Sequence, residues 1–309
     1  MPDLVLAERI LREACGDRLR RGFPLAPLTT LRVGGPAALF LEPDDDDDLR
    51  AVSRAVTASG VAWTVIGKGS NVLVADAGFD GLVLRLGRGF RWAARDGDRL
   101  RAGAAMPLPA LSGIALRHGL AGIEFGGAIP ASLGGAVRMN AGAHDGEMAD
   151  VVSSIRVFRI DDGASTAIPG AEAGFAYRST ALPPDALVVG AELALTRGDA
   201  DAIRARMDEA RAWRRRTQPL AEPNCGSVFT NPPGDHAARL IDAAGGKGLR
   251  VGGAEVSTKH ANFIVTGEGA TAADVAELIE RVRGLVRERT GVELVPEVRT
   301  IGGSVRADA

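Results

Sequence analysis

The sequence predicts an α+β protein built from more than one domain. Its 309 residues exceed an average domain and provide enough chain for a substantial core. Residues 36–76 alternate between apolar runs and a helical repeat, which indicates a strand, helix, strand unit. A basic helix expected at residues 201–216 leads into a segment of different pattern. The predicted bounds are residues 1–200 for an N-terminal region, with subdomains at about 20–95 and 96–200, and residues 201–309 for a C-terminal α/β domain.

Composition favours small-molecule chemistry. The formal net charge is -2, which argues against an electrostatic grip of the whole protein on nucleic acid or an anionic membrane. The cysteines Cys15 and Cys225 lie far apart, so we expect neither a disulfide framework nor a zinc site, and no bound metal. Acidic residues interrupt the apolar N-terminal segment, and no run of about eighteen apolar residues occurs, so an amphipathic helix and a cytoplasmic location are expected.

The strand, helix, strand unit carries a run of five aspartates. Asp44 to Asp48 lie just ahead of the predicted helix, where carboxylates cap free amides and suit the positive end of the helix dipole. A solvated cap is the interpretation that we favour over a metal site, because no ligand shell surrounds the run. Further elements are predicted as strands at 81–86, 154–160 and 187–195 and as a helix at 108–118.

The last hundred residues give a clear helix and a final strand. Thr271 and Asp274 resemble a capping start, and Gly291 ends the apolar stripe that follows. The segment VELVPEVRTI then alternates, and Pro296 confines it to a sheet edge or a strand end. The residues expected on one face of this strand are Glu293, Val295, Glu297, Arg299 and Ile301.

Two stretches rich in small residues are candidates for a ligand site. IGKGSNVLVAD at 66–76 enters a Gly-X-Gly-Ser-Asn turn that could cradle a diphosphate or could be an ordinary tight turn. It lacks the third glycine of a Rossmann fingerprint. GGAIPASLGGAVRMNAGAHDGE at 126–147 could be close packing alone, but together the two stretches favour a large flat cofactor with a diphosphate, such as FAD.

Three further motifs contain possible ligand groups. Arg178, beside Tyr177, could hold a carboxylate in bidentate fashion, although a surface salt bridge is the commoner role of an arginine. The arginines at 214–216 could contact phosphates or could form a solvated helix end. PNCGSVFTNP places Cys225 two residues before Ser227, and without a general base at motif spacing we expect the cysteine to be a packed neighbour.

In their order, these motifs resemble those of one family, the UDP-N-acetylenolpyruvoylglucosamine reductases of peptidoglycan precursor synthesis. The motifs are GKGSNVLVAD, IPASLGGAVRMNAGA, YRST, GSVFTNP, STKHANFIV and PEVR, and the resemblance covers about residues 20–303. Few residues separate Thr180 from the strand at Leu187, so the chain is similar to the shorter class, which lacks an inserted tyrosine loop.

The resemblance implies a non-covalently bound FAD in an N-terminal fold of the vanillyl-alcohol-oxidase (PCMH) type and a C-terminal substrate-binding domain. NADPH, the co-substrate, would give a hydride to the flavin. The enolpyruvyl ether of UDP-N-acetylglucosamine would then take the hydride at its methylene carbon and become UDP-N-acetylmuramate. Because negative charge builds on the carbon beside the carboxylate, the site needs cations or hydrogen bonds there and an acid for that carbon.

The resemblance also implies that the protein is a monomer without nucleic-acid or membrane partners. It further implies roles for particular residues. Arg178 and Glu297 would act at the carboxylate and the enolate, and Ser227 would donate the proton. A carboxyl group such as that of Glu297 is useful there if it is protonated or relays a proton. Residues expected to bind substrate are Arg214, Asn231 and His260. Residues expected to bind the cofactor are Gly67, Lys68, Gly69, Ser70, Asn71, Ile129, Pro130, Ser132, Gly134, Asn140 and Gly142.

The chain departs from the family pattern in four places. Ala128 and Ala131 stand where glycine is frequent and place methyl groups near the expected diphosphate. Thr230 and Thr266 replace common lysine and asparagine, which should tune binding and leave the reaction class unchanged. The alternatives are another FAD-dependent oxidase or dehydrogenase of the same cofactor fold, and a nucleotide-binding module without catalysis.

Overall fold

A computed structural model describes residues 2–303 of the chain. Within that range it contains helices and strands in mixed order, as expected for an α+β protein. The α-helices are α1 (Leu4–Cys15), α2 (Asp46–Ser59), α3 (Leu108–Arg117), α4 (Leu133–Arg138), α5 (Ala200–Thr217), α6 (Ala237–Ala243) and α7 (Ala272–Thr290). None of the helices in residues 2–303 is long and apolar enough to cross a membrane.

The strands are short, and most of them pair with antiparallel neighbours. They are β1 (Arg20–Pro24), β2 (Pro36–Leu41), β3 (Trp63–Val65), β4 (Val72–Val74), β5 (Phe79–Leu84), β6 (Ala93–Asp96), β7 (Arg99–Gly103), β8 (Leu120–Ala121), β9 (Gly142–Ala143), β10 (Gly146–Glu147), β11 (Val152–Arg159), β12 (Ser165–Pro169), β13 (Ala186–Ala194), β14 (Thr196–Arg197), β15 (Asn224–Ser227), β16 (Arg250–Val251), β17 (Ala254–Val256), β18 (Phe263–Thr266) and β19 (Arg299–Ile301).

These strands form separate sheets, which confirms the α+β class. The three larger sheets have the orders β1-β2-β5-β3, β12-β11-β13-β7-β6 and β15-β18-β17-β16. Parallel pairing occurs between β3 and β5 and between β19 and β4. The strand, helix, strand unit predicted at 36–76 is present as β2, α2 and β3.

The chain divides into two compact units that are not contiguous in sequence. The first contains residues 2–21, 39–68 and 81–213, and the second contains residues 22–38, 69–80 and 214–303. The second unit therefore takes two segments from the N-terminal part of the chain. The domain bounds predicted from the sequence, with a division at residue 200, stay a prediction.

The first unit contains two apolar clusters. One lies around the five-stranded sheet, where side chains of β7, β11 and β13 pack with those of α3 and α4. The other joins α1 and α2 to strands β2 and β5. In α1 the buried residues Ala7, Leu11 and Cys15 are four apart, so they share one helix face, as the amphipathic N-terminal pattern predicts.

The aspartate run spans the beginning of α2, and the prediction of a solvated cap ahead of the helix was wrong for its last member. Asp45 is the N-cap residue, and its side chain accepts from Asp48 N at 2.9 Å. The helix begins at Asp46, one turn earlier than expected. The Asp48 side chain is 7% exposed and forms a bidentate ion pair with Arg18. Removal of a carboxylate from water requires such a partner.

The second unit packs α6 and α7 against the sheet β15-β18-β17-β16. Thr271 and Asp274 form the predicted capping box of α7. Asp76, in the loop after β4, caps the same helix, because its carboxylate accepts from Ala272 N at 2.8 Å and from Ala273 N at 2.9 Å. The last residue of the motif GKGSNVLVAD therefore stabilises a helix that begins 196 residues later.

The alternating strand predicted at 292–301 was wrong over most of its length. Only Arg299–Ile301 forms a strand, and Pro296 makes an isolated bridge with Phe229. Proline has no N–H for a ladder, so regular pairing cannot continue through it. Burial nevertheless alternates as the pattern predicts, since Leu294 and Val298 are buried and Val295 is 59% exposed.

Candidate active site

The first small-residue loop follows β3 and bends sharply. Gly69 has φ +63°, and its carbonyl accepts from Thr30 N at 3.0 Å. Ser70 and Asn71 lead from there into β4 and are half-buried. The segment is thus the tight turn that the sequence predicts, and its contact with a ligand stays a prediction.

Gly67 brings the first loop close to the second. A Cβ atom on Gly67 would lie 2.5 Å from Ser132 Oγ and 3.7 Å from Ser132 Cβ. Ser132 is the N-cap residue of α4 and is 7% exposed. The two stretches that the sequence assigns to one cofactor therefore meet within the first unit, and only glycine leaves space between them.

Lys68, next to Gly67, lies in a cationic environment. Partial burial lowers the pKa of its ammonium group, and the nearby charges of Arg91 and Arg85 lower it further. An anion placed here would relieve this repulsion. The position is consistent with the predicted contact between Lys68 and a diphosphate.

The main-chain groups of α4 are largely used within the chain. Leu133 N donates to Met106 O and Gly134 N donates to Ala104 O. A Cβ on Gly134 would lie 2.9 Å from Ala104 Cβ, so this glycine permits close packing. Ile129 packs against the neighbouring apolar cluster, whereas Pro130 is exposed.

Asn140 is fully buried and hydrogen bonded at both ends of its amide. Its Nδ2 donates to Ala176 O at 3.1 Å, and its Oδ1 accepts from Ala149 N at 2.9 Å. Ala176 begins the turn that contains Arg178. The sequence assigns Asn140 to the cofactor, and the structure shows that its side chain holds this turn.

Arg178 lies at the second central position of a tight turn. Ala176 and Ser179 exchange both main-chain hydrogen bonds around it, and its φ is +58°, which is uncommon for a residue other than glycine. Its guanidinium donates to Gly142 O at 3.2 Å and lies 5.0 Å from the centre of the Tyr177 ring. Strained backbone that the surroundings enforce is frequent at functional sites.

Ser227 follows a bulge in β15. Asn224 pairs with Val265 and Ser227 pairs with Phe263, so β15 has one residue more than β18 between these pairs. Gly226 occupies the bulge at φ +78°, a conformation that favours glycine. A bulge of this kind rotates the strand, and it sets the direction of the Ser227 side chain.

Glu297 is joined to both the GSVF segment and the first loop. Its main-chain N donates to Val228 O at 2.7 Å, and its carbonyl accepts from Asn71 Nδ2 at 3.1 Å. Asn71 O in turn accepts from Arg299 N. The second unit therefore brings together three segments that the sequence predicts to act at one site: the Gly-Ser-Asn loop, GSVF and PEVR.

Cys225 is 2% exposed and has no disulfide partner. Burial raises the pKa of its thiol to about 12, and the Glu297 carboxylate contributes to the rise. A thiol in this state is not a nucleophile at neutral pH. The expectation that Cys225 is a packed neighbour of Ser227 agrees with this environment.

The three predicted substrate-binding residues also lie in the second unit. Asn231 Oδ1 accepts from Ala237 N at the start of α6. Burial lowers the pKa of His260, and its Nδ1 accepts from Asn262 N at 3.3 Å, so the neutral ring carries its proton on Nε2. Arg214 Nε donates to Gln218 Oε1 at 2.6 Å, and burial lowers the pKa of its guanidinium.

Asn262 is a residue that the sequence argument missed. It is 4% exposed, and its side-chain amide pairs with both main-chain groups of Phe229: Phe229 N donates to Oδ1 at 2.9 Å and Nδ2 donates to Phe229 O at 2.8 Å. Asparagine in the run ANFIV, where apolar residues surround it, was the available signal.

Residues 2–303 contain no group of three or more His, Cys, Asp or Glu side chains that could hold a metal ion.

Comparisons with known proteins place both parts of the chain in one family. A family model described as an FAD binding domain matches residues 37–166, and a model of the C-terminal domain of UDP-N-acetylenolpyruvoylglucosamine reductase matches residues 218–301. The reductase of Anaeromyxobacter dehalogenans is 50% identical over 295 residues, which cover 96% of this chain and 89% of the relative.

Solved structures agree with the sequence matches. The crystal structure of the reductase MurB from Thermus caldophilus aligns with a TM-score of 0.81 at 39% identity and covers 92% of this chain and 99% of its own. The glucose dehydrogenase Phl p 4.0202 aligns with a TM-score of 0.51 at 13% identity over 63% of this chain and 44% of its own, which shows a shared fold alone. The chain belongs to the UDP-N-acetylenolpyruvoylglucosamine reductase family.

Proposed function

We propose that the chain is an FAD-containing, NADPH-dependent enzyme that reduces UDP-N-acetylenolpyruvoylglucosamine to UDP-N-acetylmuramate in peptidoglycan precursor synthesis. Family membership supports the reaction class, and one structural observation carries the assignment of the residues. Hydrogen bonds in the second unit join Asn71, Val228 and Glu297, which brings the predicted proton donor Ser227 near the predicted acidic residue. We further propose that the enzyme acts in the cytoplasm as a monomer.

The residues present fit an FAD diphosphate. Gly67 lets the two loops approach closely, since a Cβ there would overlap Ser132 Oγ, and Lys68 supplies a cation beside them. Together with Ser70, these residues would hold the cofactor through small side chains and one positive charge. The chemistry that bound FAD supplies is hydride transfer from NADPH to the enolpyruvyl double bond.

Arg178 would hold the substrate carboxylate. Its turn is fixed by Asn140 and by the hydrogen bonds between Ala176 and Ser179, so the guanidinium starts from a defined main-chain position. A guanidinium offers a carboxylate two parallel N–H donors. As charge develops on the carbon beside the carboxylate, this contact strengthens and stabilises the transition state.

Ser227 would give the proton to that carbon. A hydroxyl is a weak acid, but a carbanion-like enolate is a strong base, so transfer is feasible once the donor is held within hydrogen-bond distance. The bulge at Gly226 sets the direction of the serine. Glu297 lies on the neighbouring segment and would act at the enolate as a protonated acid or a proton relay.

The remaining predicted residues would bind the sugar nucleotide. Arg214 is largely removed from water, and within the described residues no carboxylate forms an ion pair with it, so a substrate phosphate would satisfy its charge. His260 offers a neutral Nε2–H, which can donate to an oxygen of the substrate. Asn231 lies two residues beyond Phe229 on the same segment as Ser227.

Anaerobic stopped-flow measurement on Ser227→Ala tests the proposal. NADPH should reduce the flavin of the variant at the wild-type rate, whereas reoxidation by UDP-N-acetylenolpyruvoylglucosamine should be slowed by about 10²-fold or more, the usual contribution of a positioned acid. Cys225→Ala is the matched control, two residues away in the same motif and buried, and should keep both rates. Equal loss of both half-reactions in Ser227→Ala would contradict the assignment.

A further inference from the structure

We propose that Asn262 is a positioning residue, which holds the proposed proton donor Ser227 and the proposed substrate-binding residues Asn231 and His260 in place. The inference rests on the proposed function, because it assigns Asn262 to the step in which the substrate accepts its proton. Asn262 itself is almost completely buried, so it acts through the main chain that it contacts.

Asn262 lies just before β18 begins and forms hydrogen bonds to the segment after Ser227. The pairing of β15 with β18 reaches Ser227 opposite Phe263, and β18 begins at Phe263. Before Phe263 the chain turns, since Phe263 N donates to His260 O at 3.0 Å. The next residues after Ser227 thus lose a regular strand neighbour on this side.

The Asn262 residue replaces that neighbour. Its carbonyl accepts from Val228 N at 2.9 Å, and its side-chain amide accepts from Phe229 N and donates to Phe229 O. A carboxamide has the same donor and acceptor pair as a peptide group, so it can continue a ladder that the main chain has left. The buried N–H and C=O of Phe229 are both satisfied in this way.

Phe229 lies at the centre of the segment that has to be held. Ser227 precedes it by two residues and Asn231 follows it by two, and the Phe229 ring is 2% exposed in the core of the second unit. A shift of the Phe229 main chain therefore moves both neighbours. Misplacement of a reacting group by about 1 Å can lower a rate by about 10²-fold.

His260 depends on the same residue through a different contact. Asn262 N donates to His260 Nδ1 at 3.3 Å, and the His260 ring packs edge-on against Phe263 with 4.7 Å between ring centres. The hydrogen bond makes Nδ1 the acceptor and leaves the proton on Nε2. One asparagine thus fixes a strand segment on one side and a histidine tautomer on the other.

Asn262→Leu tests the role, because leucine is of similar size and can neither donate to nor accept from Phe229. We expect flavin reduction by NADPH within twofold of wild type, reoxidation by UDP-N-acetylenolpyruvoylglucosamine slowed at least tenfold, and hydrogen exchange of the Phe229 amide accelerated at least tenfold. In Asn262→Asp the introduced carboxyl can replace the amide only while protonated. Its reoxidation rate relative to wild type should therefore rise as the pH is lowered from 8 to 6.

Val275→Ala is the control for general destabilisation, since Val275 is fully buried in α7 of the same unit and has no hydrogen bond to the site. It should lower Tm and leave both half-reactions within twofold. Reoxidation of Asn262→Leu within twofold of wild type, or an equal slowing in Val275→Ala, would overturn the proposal. Failure of the proposed function is separate, because wild-type reduced flavin would then not be reoxidised by the sugar nucleotide.

Discussion

Gly67→Ala should weaken FAD binding without unfolding the protein. The added Cβ would lie 2.5 Å from Ser132 Oγ, about 0.9 Å inside an ordinary contact of 3.4 Å. To remove this overlap, the serine hydroxyl must rotate or the two loops must move apart. Overpacking costs about 1–3 kcal/mol, and about 1 kcal/mol is expected here because Oγ can rotate while Ser132 Cβ stays at an ordinary 3.7 Å. FAD would bind across both loops, so this cost falls on binding, and at about 1.4 kcal/mol for each factor of ten the Kd for FAD should rise roughly fivefold.

The assay is titration of deflavinated protein with FAD, followed by flavin fluorescence, together with thermal unfolding of the same samples. Gly113→Ala is the control, because Gly113 lies in α3 with no atom within 4 Å of the added Cβ. It should bind FAD as wild type does and be as stable or slightly more stable.

The double variant Gly67→Ala, Ser132→Ala separates the two causes. Without Oγ the nearest serine atom is Cβ at 3.7 Å, an ordinary contact, so the steric part of the loss should disappear. Any loss of FAD affinity that remains should equal the loss in Ser132→Ala alone, and it measures the contribution of the serine hydroxyl group to FAD binding. An FAD affinity of Gly67→Ala within twofold of wild type would refute the reasoning, because it would show that cofactor binding does not depend on the close approach of the two loops.

Three further outcomes are expected. Arg18→Gln should lower the free energy of unfolding by about 3 kcal/mol at pH 7, the lower end for breaking a buried pair, since Arg18 is 44% exposed. Burial raises the pKa of Asp48 and the pair with Arg18 lowers it below the usual value, so this deficit, measured by urea unfolding, should be greatest near pH 7 and shrink as the pH falls towards and below the ordinary pKa of about 3.9. Cys225 should resist iodoacetamide at pH 8 in folded protein and react once the protein is unfolded, since burial raises its pKa; labelling of the native protein would contradict this. Asn140→Leu should lower stability by about 2 kcal/mol or more, because it leaves two main-chain groups unpaired and puts leucine at a φ of +41°. It should slow flavin reoxidation more than flavin reduction, because it releases the turn of Arg178; equal effects on the two rates would count against that link.

The sequence predicts local elements of this fold well where one periodicity dominates. The residue pattern alone predicts the buried stripe of α7, its capping box and the amphipathic N-terminal helix. The segment 292–301 shows the limit. Its alternating residues resemble a strand, but the segment forms one isolated bridge, at Pro296, and the short strand Arg299–Ile301.

The sequence predicts which motifs form the candidate site, but it does not predict the hydrogen bonds between them. The motif order identifies the family, but no pattern in the letters shows that Asn71 donates to the carbonyl of Glu297, which lies 226 residues later. Asn140 shows the same limit: a motif asparagine beside small residues suggests a ligand contact, and its burial with both amide ends paired is visible only in three dimensions.

The discontinuous second unit has a consequence for synthesis of the protein. Strand β4 pairs in parallel with β19, where Val74 lies opposite Ile301, and Asp76 caps a helix that begins at Ala272. At about 5–20 residues per second, residues 69–80 are synthesised roughly 10–45 s before residues 299–301. During that interval an apolar strand has no partner and a carboxylate has no helix to cap. The nascent chain is therefore most exposed to aggregation between these two moments, and slower translation of residues 81–213 lengthens that period.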